Sequence, residues 1–311
     1  MKRHCPVCGS QAETRLFSEF PGYQQYYCLH CTVIFTVPME SLPEQGYEDF
    51  YFQRDETEWA RLLSHQRYVL KFISRRRIID ENSRVFEIGC GCGSLLYYLE
   101  KKFHCQCTGI DINEKAIRIG KERLGLTRLY PLSVEEFIDK TRGELFDLVI
   151  FTEVIEHVAD PSCFINSIKK LMCSNGRIVC TVPNRDRAIK LNDERDIPPH
   201  HLTLWDKKSL AYFLSSNGIQ IEGIFSSPSS LAIGLTHLLF SRFLGTGLLG
   251  GAVKEARAGS EEKKARLAAF TRAAYYRNRF FETLFLPLAY VLHLFGWQGM
   301  RLVCLGRLIR P

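Results

Sequence analysis

The chain has 311 residues, 46% of them hydrophobic and 24% charged. These are the proportions of a globular protein with one large or two smaller domains, and they exclude a disordered chain or a polytopic membrane protein. The net charge of +7 is carried at one end: residues 251–311 hold eleven Lys and Arg against four Glu, and the rest of the chain is neutral, which fits a local anionic contact and argues against a globally basic nucleic-acid binder.

No apolar run follows Met1-Lys2-Arg3-His4, so no secretory signal is expected, and the twelve cysteines are expected to be buried thiols or metal ligands in a reducing compartment. Residues 1–38 contain two knuckles, Cys5-Pro6-Val7-Cys8-Gly9 and Cys28-Leu29-His30-Cys31, with 19 residues between them. Two such turns can bring Cys5, Cys8, Cys28 and Cys31 into tetrahedral S4 coordination, and a segment this short needs a metal staple because it cannot build its own core. Structural Zn2+ is the expected ion; iron or a redox pair are the weaker readings. The ribbon carries only Lys2, Arg3 and Arg15 against Glu13 and Glu19, too little charge to track a phosphate backbone.

Residues 39–58, punctuated by Pro43 and Gly46, read as a linker, and 59–79 as a helix with Leu62, Leu63, Tyr68, Val69, Phe72 and Ile73 at helical spacing. From 84 onward, apolar runs at 84–89, 108–111, 146–151 and 176–183 alternate with helical stretches at 114–124, 134–140, 161–173 and 206–217. That alternation predicts an α/β fold, a doubly wound parallel sheet covered on both faces. Two more strands are expected at 218–225 and 300–306. Between them, 226–299 is expected to be a helical insertion in which the apolar stretches 231–250 and 280–297 flank the basic segment 251–279. Neither stretch is a clean membrane span. Apolar surface beside Lys and Arg reads as a lid, an anionic membrane surface or a contact with a second copy of the chain. The domain partition is therefore ribbon 1–38, linker 39–58, core 59–225, insertion 226–299, and last strand with tail 300–311.

Glu87-Ile88-Gly89-Cys90-Gly91-Cys92-Gly93 follows a strand and opens a helix. Glycines let the backbone turn sharply against a ligand, and the helix N-terminus favours an anionic or zwitterionic group. Asp111, at the next strand end, is placed to bond a ribose diol. By itself the loop also passes loosely for a dinucleotide fingerprint, which leaves a nicotinamide-dependent oxidoreductase open.

Together with Gly109-Ile110-Asp111, the run Phe146-Asp147-Leu148-Val149-Ile150-Phe151-Thr152-Glu153-Val154-Ile155-Glu156-His157-Val158, and Val182-Pro183-Asn184, the glycine loop resembles the class I S-adenosylmethionine-dependent methyltransferases. The resemblance covers about 60–225 and is to the branch with ubiquinone-type O-methyltransferases and many small-molecule and sugar methyltransferases. It implies a Rossmann-like seven-stranded sheet and S-adenosyl-L-methionine as cofactor. It also implies that Gly89, Gly91 and Gly93 wrap the amino-acid part of the cofactor, with Glu87 organising the loop. Asp111 would take the ribose hydroxyls and Ile112 would lie against the adenine. Val134 and Glu135 would sit at the adenine edge, and Thr152 and Glu153 under the methionine. Here Ser133-Val134 stands where many relatives carry Gly-Asp or Asp-Ala.

Methyl transfer from a sulfonium needs alignment and sometimes a base. His157, His200 and His201 are the candidates, with helix capping or loop bonding as the alternative role of each; relatives keep a His in a position similar to His201. Glu153 and Glu156 are second choices. The expected acceptor is a small molecule, a sugar or a lipid-linked intermediate. Similar ribbons precede some sugar C-methyltransferases and some ribosomal-RNA methyltransferases, so an RNA methyltransferase and a non-catalytic scaffold stand as alternatives. The expected location is cytoplasmic, peripheral at the inner face of a membrane if the segment 231–297 binds lipid.

Overall fold

The structure, a computed structural model, describes residues 2–9, 11–41, 62–141, 143–190, 196–244 and 261–309. Most of the expected linker, 42–58, lies outside the described residues. The chain divides into two compact units: residues 1–185, 193–225 and 301–311 form one, residues 186–192 and 226–300 the other.

The first unit begins with strands β1 (Lys2–His4), β2 (Gln11–Phe20), β3 (Tyr23–Cys28) and β4 (Ile34–Val37). Helix α1 (Ser64–Arg76) follows and ends at Arg77 in the left-handed conformation. Then come β5 (Arg84–Ile88), α2 (Ser94–Phe103), β6 (Gln106–Ile110), α3 (Glu114–Leu124), β7 (Leu129–Tyr130), α4 (Val134–Thr141) and β8 (Phe146–Thr152). A single 3-10 turn (Ile155–His157) leads to α5 (Pro161–Lys170), β9 (Met172–Pro183), β10 (Thr203–Leu204), α6 (Lys207–Ser216), β11 (Ile219–Ser226) and, at the end of the chain, β12 (Arg301–Leu308).

Seven strands form one sheet in the order β11-β12-β9-β8-β5-β6-β7. All the pairings from β9 to β7 are parallel, and β12 runs antiparallel to β9. The expected doubly wound sheet is therefore present. Its strands sort their side chains by parity, because successive residues of a strand point to opposite faces. Phe86, Ile88, Val149, Phe151, Ile178, Cys180, Leu302 and Cys304 enter one core. Their sequence neighbours Val85, Leu148, Ile150, Val179, Val303 and Leu305 enter the other. Near-continuous apolar strands are what a sheet buried on both faces requires. Phe86 stacks on Phe146 at 4.6 Å and tilts on Phe137 at 4.7 Å, which fixes α4 to one face.

The amino-terminal strands do not form a module of their own. They build a second sheet, β1-β2-β3-β4-β10, whose last member comes from residues 203–204, paired antiparallel with Ile34–Phe35. Cys5, Val7, Tyr26, Val33 and Phe35 share the first core with Trp205, Leu210 and Phe213. Arg185 clamps the junction: its guanidinium donates to the Thr32 carbonyl and to the Asp206 carboxylate and lies over the Tyr27 ring. Asp206 also caps α6, accepting from Ser209 N at 2.6 Å.

The second unit consists of α7 (Pro228–Leu244), α8 (Glu261–Leu294) and the short segment 186–190, so its limits are wider than the expected 226–299. Residues 261–279 of the basic stretch and 280–294 of the second apolar stretch, read separately in the sequence, belong to one helix of 34 residues that runs through Pro287, and 251–260 lie outside the described residues. One face of α8 packs on α7, with Phe285, Ala289 and Leu292 against Leu231, Ala232 and Leu235. Gly299 donates to Ser226 Oγ at 2.7 Å, and a Cβ there would run into Ser230 and the Ser227 carbonyl.

Among the remaining cysteines, 90, 92, 105, 107, 180 and 304 are buried free thiols as expected, whereas Cys163 is exposed and Cys173 half-buried. Cys163 falls on the outer side of α5's first turn, opposite Phe164 and Ile165, which face the core.

Asp206→Ala removes a helix cap, about 1 kcal/mol, and the carboxylate of a largely buried ion pair, whose rupture costs about 3–5 kcal/mol when nothing replaces it. Thr32 remains to hold Arg185, so urea unfolding is expected to show a net loss of about 2–4 kcal/mol. A loss below about 1 kcal/mol would mean that the junction does not depend on this clamp.

Candidate active site

In an open α/β sheet the ligand crevice lies at the carboxyl ends of the strands where the strand order reverses. Here that point is between β5 and β8, and the loops that follow them meet. Gly89, Gly91 and Gly93 have φ of 68°, 56° and 75°. Gly89 is required twice: for its left-handed backbone, and because a Cβ would lie 2.7 Å from Val154 Cγ2 in the loop after β8. Asp111, just past β6, accepts from Gly91 N at 2.7 Å through Oδ2 and from Asn113 N at 2.9 Å through Oδ1. It thus ties the glycine loop to the next strand, and each oxygen keeps a second lone pair for a ligand hydroxyl. Burial raises its pKa against the pull of these two N–H groups. Ile112 is exposed beside it.

Glu87, the last residue but one of β5, is 0% exposed. Neither carboxylate oxygen has a hydrogen-bond partner among the described residues. Burial, with the Asp111 charge adding to it, holds its pKa well above the usual carboxylate range. An orphaned buried carboxyl beneath a glycine cradle, with Asp111 alongside, fits a polar nucleoside cofactor.

The other expected contacts divide. Val134 lies in the core beside Leu132 and Phe137. Glu135 accepts from Ser167 Oγ of α5 at 3.1 Å. Ser133 and Glu136 cap α4 reciprocally, so the Ser133-Val134 departure from relatives is spent on starting a helix. Thr152 ends β8, buried. Glu153 has φ 56°, accepts from Thr181 Oγ1 at 3.1 Å and pairs with Arg301 Nε at 3.0 Å. Sequence reading gave no role to Arg301, since a partner 148 residues away leaves no local pattern.

The three histidines converge from two segments. His157 Nδ1 lies 2.6 Å from the His200 carbonyl oxygen. A carbonyl only accepts, so Nδ1 carries the proton and Nε2 the lone pair. The rings of His157 and His201 meet edge to face at 4.9 Å, and His201 Nδ1 is 3.5 Å from Asp196 Oδ1. His200 contributes its backbone to His157. Burial pushes the His157 pKa down to about 4, so its imidazole is neutral at pH 7. Glu156 is fully buried with no partner among the described residues for its carboxylate oxygens, and burial followed by the Glu153 charge raises its pKa. One ligand atom each of Glu156, His157 and His201 lie within 4.8 Å of one another. The pair Leu202 N to Glu156 O at 2.7 Å and Thr36 N to Leu202 O at 2.8 Å holds this segment between the turn after β8 and the amino-terminal sheet. Ser41 Oγ donates to the His157 carbonyl at 3.0 Å.

The four expected cysteine ligands also come together. Cys5 and Cys31 Sγ are 3.7 Å apart, Cys8 and Cys28 Sγ 3.9 Å, and all four fall within 4.8 Å of one another. A tetrahedron of Zn–S bonds near 2.3 Å has sulfur–sulfur edges of about 3.8 Å, so the donor set fits zinc.

The sheet order, the glycine loop at the switch point and the acidic strand end define a class I methyltransferase fold. A family model described as a methyltransferase domain matches residues 57–222, more than half of the chain. The protein belongs to that methyltransferase family. It is 34% identical over 109 residues to a ubiquinone biosynthesis O-methyltransferase of Cereibacter sphaeroides, covering 34% of this chain and 43% of that one. It is 32% identical over 117 residues to the enzyme so named from Aromatoleum aromaticum, covering 35% and 49%. The matched part is less than half the length of these relatives. Among solved structures, coclaurine N-methyltransferase bound to N-methylheliamine and SAH is 15% identical with a TM-score of 0.50, covering 78% of this chain and 72% of that one. The cyclase SpnF is 15% identical with a TM-score of 0.50, covering 83% and 86%. These two share the fold alone.

Glu87→Gln tests the buried carboxyl through pH. A raised folded-state pKa contributes stability that is complete below the unfolded value of 4.5 and is lost as pH rises toward the folded one. The amide is therefore expected to stabilise the ligand-free protein at pH 8 and to have no such effect at pH 4, a gap visible as about 2–4 °C in melting temperature per kcal/mol. A pH-independent difference would mean that Glu87 is not held neutral.

Proposed function

We propose that this protein is an S-adenosyl-L-methionine-dependent methyltransferase acting on a small-molecule acceptor, a class that includes sugars and lipid-linked intermediates. The observation that carries the reading is the glycine cradle at 89–93 tied to Asp111 over the orphaned Glu87 carboxyl. Gly89, Gly91 and Gly93 would hold the amino-acid end of the cofactor, Asp111 its ribose hydroxyls, and Ile112 the adenine face. When bound, the cofactor supplies a methyl group activated on a sulfonium. The small-molecule class of acceptor is supported by the ubiquinone-type relatives, whose substrate is their own.

His157 is our candidate base. Its Nε2 lone pair is oriented by the Nδ1–H bond to His200 O, and its imidazole is neutral above about pH 4. Burial, with the nearby His200 adding to it, opposes the charge that appears when Nε2 takes a proton, and an ionised Glu156 carboxylate beside it would offset that charge by pairing. His201, in edge contact with His157 and beside Asp196, is a positioning residue in this arrangement.

Calorimetry is expected to show binding of S-adenosylmethionine and S-adenosylhomocysteine and none of NAD; the reverse pattern would establish an oxidoreductase. His157→Ala is expected to keep cofactor affinity and to lower S-adenosylhomocysteine release, assayed against a small-molecule extract, by about a hundredfold or more. Unchanged release in His157→Ala and a loss confined to His201→Ala would move the base to His201. Activity on RNA alone would replace the acceptor class.

We infer that Cys5, Cys8, Cys28 and Cys31 bind one zinc ion with a structural role, since four thiolates leave no open position. Metal analysis is expected to find one zinc per chain, and none in Cys28→Ser. Because Thr36 holds Leu202, losing the ion should lower turnover more than cofactor affinity. Equal losses, or a metal-free protein of normal stability, would remove zinc from the structure.

A further inference from the structure

We propose that the second unit docks on the surface of an anionic lipid bilayer through the outer face of α8. This rests on that helix and not on the cofactor reading. The carboxyl-terminal half of α8 is apolar on two sides. The inner side packs on α7 through Phe285, Ala289 and Leu292. The outer side presents Tyr276, Phe280, Leu284, Leu288, Val291 and Phe295, which are 62%, 64%, 56%, 48%, 50% and 80% exposed. Their spacing of three and four residues puts them on one stripe, about 28 Å long at 1.5 Å per residue. Leu294, at 85% exposure, and Trp297 extend it. A continuous apolar strip of this length facing water marks an interaction surface.

Charge decides the partner. On the same helix, residues 261–279 carry six Lys and Arg against two Glu, and from 276 to 300 the sequence has one acidic residue, Glu282, which Arg279 pairs at 3.6 Å. A second copy of the chain meeting this face would bring two such basic segments together. An anionic surface meets the apolar stripe and the basic segment at once, the combination by which interfacial helices bind bilayers. Tyr276, Tyr290 and Trp297 are the amphipathic aromatics that settle at the headgroup level. Among the described residues no helix is long and apolar enough to cross a membrane, so α8 would lie in the interface plane.

The test uses the full chain. It is expected to sediment with vesicles of phosphatidylcholine plus phosphatidylglycerol, less with phosphatidylcholine alone, and less as salt is raised. The Leu284→Ser, Leu288→Ser, Phe295→Ser triple variant should lose vesicle affinity by about tenfold or more, with calorimetry of cofactor binding as its folding control. A measurement on the unmodified stripe stands beside it: brominated lipid should quench the fluorescence of the wild-type protein, and Trp297→Phe should abolish that quenching. The proposal is overturned if the wild type stays in solution with anionic vesicles at low salt. It also fails if brominated lipid leaves Trp297 unquenched, or if the wild type is a dimer that the triple variant converts to monomer with vesicle affinity unaltered.

Discussion

Two main-chain hydrogen bonds at Leu202, one donated to the Glu156 carbonyl and one accepted from Thr36 N, join what would otherwise be separate parts of the first unit. On one side is the turn after β8 that carries His157. On the other is the sheet whose knuckles carry the four cysteines. Buried backbone groups must find partners, and Thr203 and Leu204 find theirs opposite Phe35 and Ile34, so β10 completes the amino-terminal sheet. The ribbon therefore works as a brace: the strand it offers fixes the height at which His201 meets His157. Arg185, held by Thr32 and Asp206, secures the same junction from the side chains.

The crevice is electrostatically unusual. Two carboxyls, Glu87 and Glu156, are buried with their oxygens unbonded among the described residues, at a cost that the fold meets elsewhere in two well-filled cores. Groups so placed are characteristic of functional sites, where burial is used to set protonation. Around them Glu153 pairs with Arg301, and Asp111 accepts from two backbone N–H groups. The neutral His157 imidazole follows from the same burial, and its tautomer follows from the His200 carbonyl.

Legibility in the sequence tracked distance along the chain. The strand–helix alternation, the glycine loop and the paired knuckles are local patterns, and the structure places Gly89, Gly91, Gly93 and Asp111 at one crevice and the four cysteine sulfurs in one cluster. The short strands β7 and β10 left no signal, because two residues show no periodicity. The basic residues from 261 to 279 and the apolar residues from 280 to 294 read as parts of different segments, although one helix carries both, since composition changes along α8 while backbone geometry does not.

The sequence by itself determined the doubly wound sheet, the family resemblance and the ligand types, because apolar periodicity, glycine and cysteine spacing act over a few residues. Only the tertiary structure decided that Glu135 turns to Ser167, that Arg301 holds Glu153, and that the ribbon shares a sheet and a core with the methyltransferase fold. It also decided which face of α8 stays exposed. Those outcomes depend on which side chains distant in the chain arrive at the same place, and packing, not local preference, sets that.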